Sequence, residues 1–167
     1  IVMESDYQSL FQVRLANYDD IPAIMNITRE AFVKYQQMSG VEKLAALEES
    51  YNDVKKDIDT KVVLLALSDG EPVGSVRVEV FPDKTAYLSR FAVKVTSQNN
   101  GIGKSIMNLV DKIMVKKGVT QIQLHTGSKI TSLIRFYYGR GFYIDSTDKS
   151  RGYVRALLIK EYQKKDC

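Results

Sequence analysis

The sequence is nearly free of cysteine: it has one in 167 residues, Cys167, at the last position. A single thiol closes no internal disulfide and builds no metal cluster, so no metal is expected. A reducing cytoplasm is the expected compartment. No apolar run approaches the roughly 20 residues of a membrane span, and no membrane partner is expected. Ile1 to Asp6 hold no basic segment leading into an apolar one, so no signal peptide is expected, and Ile1-Val2 ahead of Met3 reads as an appended remnant. There is also no run rich in lysine and arginine. The 24 basic and 20 acidic residues are scattered and leave a net charge of +4, which suits a small anionic ligand and argues against a nucleic-acid partner. Repeats, low-complexity stretches and linkers are absent too. With 44% apolar and 26% charged residues the composition is ordinary for a globular protein, and residues 1–167 read as a single domain.

What is present is a regular succession of periodicities. Phe11 to Leu15 alternates apolar and polar, the pattern of a half-buried strand. Asp19 or Asp20 then offers a helix N-cap with Pro22 in the first turn, ahead of a stripe of Ile24, Ile27, Ala31, Phe32 and Tyr35 that Ser39-Gly40 ends. Leu44, Leu47, Tyr51, Val54 and Ile58 form a second stripe, with Glu42, Glu48, Glu49, Lys55 and Lys56 expected on a solvated face. From Val62 the period changes. Val62 to Leu67 reads as a strand buried on both faces. Val73 to Val80 alternates, with Arg77 and Glu79 opposite the valines, and Thr85 to Val95 completes an antiparallel meander. A helix follows, then a strand from Gln121 to His125, a short helical stripe of Ile130, Leu133, Ile134 and Tyr137 with Ser128 as its expected N-cap, and strands over Phe142 to Ile144 and Arg151 to Ile159. The order β-α-α-β-β-β-α-β-α-β-β is α+β with a mixed, mostly antiparallel sheet flanked by helices, and not a doubly wound dinucleotide domain.

The chain is organised around the stretch from Ser89 to Lys117. Its strand runs into a polar turn with Gly101 and Gly103, and the turn opens a helix whose stripe is Ile102, Ile106, Leu109, Val110, Ile113 and Met114. Lys116 and Lys117 before Gly118 suit the helix C-terminus. Free N–H groups and the positive dipole end therefore fall at the glycine turn, a site for a phosphate or pyrophosphate. Gly103-Lys104-Ser105 invites a P-loop reading, but that motif needs glycine where Gln98 stands, and the dinucleotide motif needs glycine where Ile106 stands. A nucleotide-binding protein using Gly103-Lys104-Ser105 is thus the weaker reading.

Gln98-x-x-Gly101-x-Gly103, with Val93 five residues earlier on the strand, resembles the acetyl-CoA signature of the GNAT superfamily of N-acetyltransferases. Phe136-Tyr137-Tyr138-Gly139-Arg140-Gly141-Phe142 resembles the second half of that family's next motif at matching spacing, and the element order is the family's order from Phe11 to about Tyr162. The family's Asn and Ala in the first half of that motif fall on Ile130 and Leu133, and Lys94-Val95 replace its usual acidic residue and proline.

The resemblance implies acetyl-CoA as co-substrate and a primary amine, of a small molecule or a protein, as acceptor. An acyl-CoA-binding or sensing domain without turnover is the alternative. Backbone N–H groups over Asn99, Asn100, Gly101, Ile102, Gly103, Lys104 and Ser105 would wrap the pyrophosphate, with Gln98 and Lys104 adding polar contacts. The pantetheine arm would lie along Phe91, Ala92 and Val93, with the Val93 N–H toward the thioester oxygen. Tyr137 is the candidate general acid or else a core tyrosine. Tyr138, off the stripe, is the weaker acid candidate and is grouped with the cofactor residues. For the base, Glu79, His125 and a water relay stay open, because Leu88 to Val93 offers no acid. Tyr35, Glu30 and Tyr51 are candidate acceptor-wall residues, with specificity expected from Gln36 to Glu42 and Ser146 to Gly152. A homodimer through a sheet edge or the last strand is compatible with this reading.

Overall fold

Asn17 and Ser50 begin the helical half of the chain, each in a reciprocal capping box. The Asn17 side chain accepts from the Asp19 N–H, and the Asp20 carboxylate accepts from the Asn17 N–H at 2.8 Å. The Ser50 hydroxyl accepts from the Asp53 N–H while the Asp53 carboxylate accepts from the Ser50 N–H. Such boxes satisfy helix-terminal N–H groups that otherwise have no partner. In a computed structural model that describes residues 11–98 and 100–163, these caps start a 3₁₀ turn (Tyr18–Asp20) that runs into helix α1 (Ile21–Ser39), and helix α2 (Tyr51–Thr60). Gly40, at φ 72°, closes α1 with a left-handed residue as expected. Asp20 does not cap α1 with its side chain; it pairs with Arg14 of the first strand at 2.7 Å. The second stripe is also shorter than its periodicity suggests. Ala45–Leu47 is a separate 3₁₀ turn, and Tyr51 is 48% exposed.

Seven strands follow the expected order: β1 (Phe11–Leu15), β2 (Val62–Ser68), β3 (Glu71–Val80), β4 (Thr85–Val93), β5 (Gln121–Gly127), β6 (Tyr143–Asp148) and β7 (Arg155–Glu161). They form one sheet in the order β1-β2-β3-β4-β5-β7-β6, antiparallel throughout except for the parallel pair β4–β5. The crossover between those two strands is helix α3 (Ile102–Lys116), and helix α4 (Thr131–Gly139) joins β5 to β6. β7 is paired on both sides, by β5 and β6, so the last strand is not a free edge for a dimer; the edges are β1 and β6. It starts at Arg155, and 151–154 form the preceding loop. Ser128 does not cap α4. Its hydroxyl donates to the Val154 carbonyl, which fastens the end of β5 to that loop.

Strand alternation divides the core between the two faces of the sheet. Val63 and Leu65 meet Ile21, Ile24 and Ile27 of α1 and Val54 of α2. Leu64 and Ala66 meet Ile102, Ile106, Met107 and Val110 of α3. Successive strand residues point to opposite faces, so a strand apolar at every position is what a sheet covered on both sides requires. Arg77 lies on the α1/α2 face and is 1% exposed, not solvated. Its guanidinium donates to Glu49 at 2.6 and 2.8 Å and to Asp57 at 3.0 Å. Glu49 is thus a buried partner and not part of an outer charged face. The residues Ile1, Val2, Asn99 and Cys167, singled out from the sequence, lie outside the described residues. No helix among the described residues is long and apolar enough to cross a membrane.

Candidate active site

The site begins with one extra residue in β4. Gly74 and Ser75 of β3 face Val93 and Ala92, but Arg77 faces Ser89, so two residues of β4, Arg90 and Phe91, lie opposite one of β3, Val76. Arg90, at this bulge, takes φ 54°. A left-handed residue other than glycine costs roughly 1–2 kcal/mol, and its Nε lies 3.4 Å from the Glu49 carboxylate that Arg77 also uses. Bulges bend and twist the strand that carries them. β4 accordingly pairs with β5 only at Thr85, Ala86 and Tyr87, opposite Gln121, Ile122 and Gln123. Beyond Tyr87 the two strands have no pairing, and β5 keeps its other edge on β7 as far as Gly127 opposite Arg155.

Aromatic rings fill the wedge. Phe91 stacks on Phe136 of α4 with centroids 5.4 Å apart, and Tyr137 packs edge-on against Phe136 and Phe142. The first turn of α3 reaches this layer. A Cβ at Gly103 would sit 3.1 Å from the Phe91 ring and 3.3 Å from the Phe136 ring, so glycine is needed for the helix to approach so closely. Gly101, the N-cap, has φ 83°, and among the described residues no side chain caps α3. Its first N–H groups are left open. The loop before it is folded back: the Gln98 amide donates to the Val93 carbonyl at 3.2 Å, and the Val95 N–H donates to Glu30 of α1 at 3.0 Å.

Two clefts open from the wedge. One, of about 400 Å³, lies between α1, the end of β4 and the start of α3. It brings together Phe91, Ala92, Val93, Gln98, Gly101, Gly103 and Lys104, seven of the residues expected to hold a cofactor. The other, of about 320 Å³, lies on the far side of the wedge and includes Tyr137 and His125. Phe32, Tyr35, Phe91 and Leu133 line both clefts and so connect them.

Other expected residues stand elsewhere. Ile102 is buried in the core beneath α3, and Ser105 turns its N–H to the Gly101 carbonyl within the helix. Asn100 and Tyr138 line neither cleft, and Tyr138 is 51% exposed. Glu79 is not brought to the site. It lies opposite Tyr87 on the α1/α2 face, lines neither cleft, and has Lys61 at 3.9 Å. Of the expected wall residues only Tyr35 lines the clefts; Glu30 holds the loop, and Tyr51 lines neither cleft. Residues not singled out from the sequence include Tyr87, Arg90, Tyr153 and Arg155.

Proton affinities in the second cleft follow from its burial. Burial raises the Tyr137 phenol far above its ordinary range, so it keeps its proton at neutral pH. Burial and the neighbouring Tyr153 hydroxyl, 3.1 Å away, do the same to Tyr35, whose oxygen accepts from the Gly127 N–H. The His125 Nδ1 lies 2.6 Å from the Tyr87 hydroxyl, and burial, followed by the charge of Arg155, holds the imidazole below its ordinary 6.5.

That depression has a consequence for stability. Below the ordinary value the unfolded chain binds a proton that the folded protein resists, so stability is full above about pH 6.5 and declines as pH falls toward the folded value. Thermal midpoints measured from pH 8 to pH 5 should drop on the acid side, and His125→Gln should flatten the drop. An identical acid limb in the variant would assign it to other groups.

Comparison with known proteins agrees with this geometry. The sequence profile of the Acetyltransferase (GNAT) family matches residues 21–142. A Thermoplasma acidophilum protein, spermidine N(1)-acetyltransferase, is 23% identical over 149 residues, spanning 83% of this chain and 92% of that protein. Among solved structures, the PaiA N-acetyltransferase of Thermoplasma acidophilum in complex with coenzyme A superposes with TM-score 0.80 at 22% identity, over 91% of this chain and 99% of that one. The ribosomal-protein-alanine N-acetyltransferase of Brucella melitensis does so with TM-score 0.73 at 17% identity, over 90% and 99%.

Proposed function

The chain belongs to the acetyltransferase (GNAT) family, and from that premise we propose that its one domain moves an acetyl group from acetyl-CoA, bound in the first cleft, to a primary amine bound in the second. The observation that carries this assignment is the open, uncapped start of α3 beside Gly103, set at one end of the β4–β5 wedge with a second cleft at the other end. Unpaired helix N–H groups and the dipole end favour a pyrophosphate, and the two glycine positions let it come close to the backbone. Lys104 and Gln98 line the same cleft. Beyond Tyr87 the β4 edge facing β5 is unpaired, and an extended pantetheine chain can use it as an added strand. A backbone N–H at Val93 would stabilise the thioester oxygen as it gains charge; such donors are worth roughly 10²–10³ in rate.

The amine nitrogen attacks the thioester carbon, a C–N bond forms, and the C–S bond breaks. One proton leaves nitrogen and one reaches sulfur. An alkylamine has a pKa near 10.4, so it arrives charged and must first lose a proton. His125, held neutral at physiological pH, lines the acceptor cleft and is the residue fitted to take it, directly or through Tyr87 or water. Tyr137 keeps its proton, lines the second cleft and packs against Phe91, which lines both, and this fits a donor to the departing sulfur. The lone cysteine suits a reducing cytoplasm.

Release of free coenzyme A from acetyl-CoA, followed across a panel of amines, tests the reaction. Amine-dependent release is expected. Tight acetyl-CoA binding with no release for any amine would make this a binding domain without turnover. Tyr137→Phe should lower kcat by about 10² with coenzyme A affinity unchanged. Wild-type kcat in that variant would return Tyr137 to a packing role only.

A further inference from the structure

Among the described residues, the second cleft has three arginines and a histidine on its walls and no aspartate or glutamate. Arg90 comes from the β4 bulge, Arg151 from the loop before β7, and Arg155 from its first residue. Carboxylates hold two of them from behind. Asp148 accepts from the Arg155 Nε at 3.3 and 3.2 Å, and Glu49 lies 3.4 Å from the Arg90 Nε. Among the described residues the terminal amino groups of both guanidinium groups have no protein partner, and Arg151 makes no ion pair. Asp148 also accepts from the Ser150 N–H and hydroxyl, so its charge is shared among three donors. The charges also reach the cleft interior: after burial, Arg155 pushes His125 toward its neutral form, Asp148 opposes it less strongly, and Arg151 adds a smaller push in the same direction as Arg155. Phenols of Tyr35, Tyr87 and Tyr153 complete the polar wall without adding charge.

A guanidinium fixed along one edge presents its other N–H groups as a planar fork, the geometry that matches a carboxylate. A polyamine would instead bring further ammonium groups into a cavity that already holds three positive charges and no carboxylate on its walls. At about 320 Å³ the cleft is at the small end of ligand pockets. We infer that the acceptor is a small primary amine that carries a carboxylate, an amino acid or a close analogue, held by Arg151 and Arg155, and that polyamines are poor acceptors. This rests on the acetyltransferase reading above, with the acceptor in the second cleft.

The test uses matched pairs: each amino acid and its C-terminal amide as acceptors, with spermidine, putrescine and phosphoethanolamine alongside, and acetyl-CoA binding measured separately by calorimetry. The best amino acid should exceed its own amide in kcat/KM by about ten- to a hundredfold, and spermidine should rank below both. Arg155→Gln and Arg151→Gln should each shrink that ratio toward one through KM for the acid, with the dissociation constant of acetyl-CoA unchanged. Arg151 is exposed and unpaired, so its variant reads out binding even if loss of the Asp148 pair disturbs folding in the other. Spermidine as the best acceptor, phosphoethanolamine preferred to every amino acid, or variants that leave the ratio unchanged would each overturn the inference. So would acetyl-CoA binding without turnover of any carboxylate amine, which leaves the cofactor site standing. Absence of acetyl-CoA binding would remove the acetyltransferase reading itself, and this inference with it.

Discussion

Gly103→Asp should lose coenzyme A affinity by on the order of 10³ while the protein stays folded. Two effects act together. The added Cβ meets the Phe91 and Phe136 rings at 3.1 and 3.3 Å, so the aromatic layer must shift to admit it. The added carboxylate also stands in the first turn of α3, where a pyrophosphate would lie. Two unit charges about 4 Å apart repel by roughly 4 kcal/mol at an effective dielectric near 20, about a thousandfold in affinity. The same carboxylate interacts favourably with the helix dipole, so its electrostatic effect on folding is mildly stabilising and opposed only by the ring displacement. Calorimetric titration, with circular dichroism as the fold control, separates the two. Gly103→Ala should show the packing effect alone and a smaller loss. Wild-type affinity in Gly103→Asp would contradict the placement of the pyrophosphate.

Arg77→Ala should destabilise the fold by about 3–5 kcal/mol, the usual loss when one member of a buried ion pair is removed. For a protein of this size that lowers the thermal midpoint by on the order of 10 °C. Arg77 is among the largest fully buried side chains, and its Nε finds no partner, so it already carries an unmet hydrogen bond. Its value is in Glu49 and Asp57, which it neutralises across β3, the loop before α2, and α2. Replacing the central pair together, Arg77→Leu with Glu49→Leu, should be far milder than the single change, because no buried charge is left alone. Urea unfolding of the three proteins checks this. A loss below about 1 kcal/mol for Arg77→Ala would show that the pair is solvated in solution. Glu49 also faces Arg90 at the bulge, so its loss should disturb the wedge as well as the core.

What could be read from the sequence was local. The stripe on α3, the glycine turn and the Gly40 and Gly118 stops depend on spacing within one element, and each stands where periodicity put it. Tyr137 and Gln98 were reached through short motifs. The bulge was not legible, because Arg90 takes its left-handed turn with neither glycine nor proline to announce it, beside a glutamate 41 residues earlier. For the same reason Glu49 reads as part of a solvated face, and alternation puts Arg77 opposite the valines without naming a partner for it; only their meeting across 28 positions takes them out of solvent. Glu79 shares the alternation of Arg77, and that alternation puts it opposite the valines on the α1/α2 face, but it stands beside Lys61 and lines neither cleft. The second cleft is assembled from α1, the stretch before α2, β4, β5, α4, the loop before β7 and β7. Nothing local in β4 or β7 brings Tyr87 and Arg155 together, because their meeting depends on which strand ends share a cleft.

The open start of α3 and the β4–β5 wedge are proposed to bind an acyl-CoA. The most direct measurement is a set of separate calorimetric titrations of acetyl-CoA, coenzyme A and ATP into the protein. Micromolar binding of both CoA species with ATP silent is the result expected. ATP binding in their place, or no binding by either CoA species, would contradict the account.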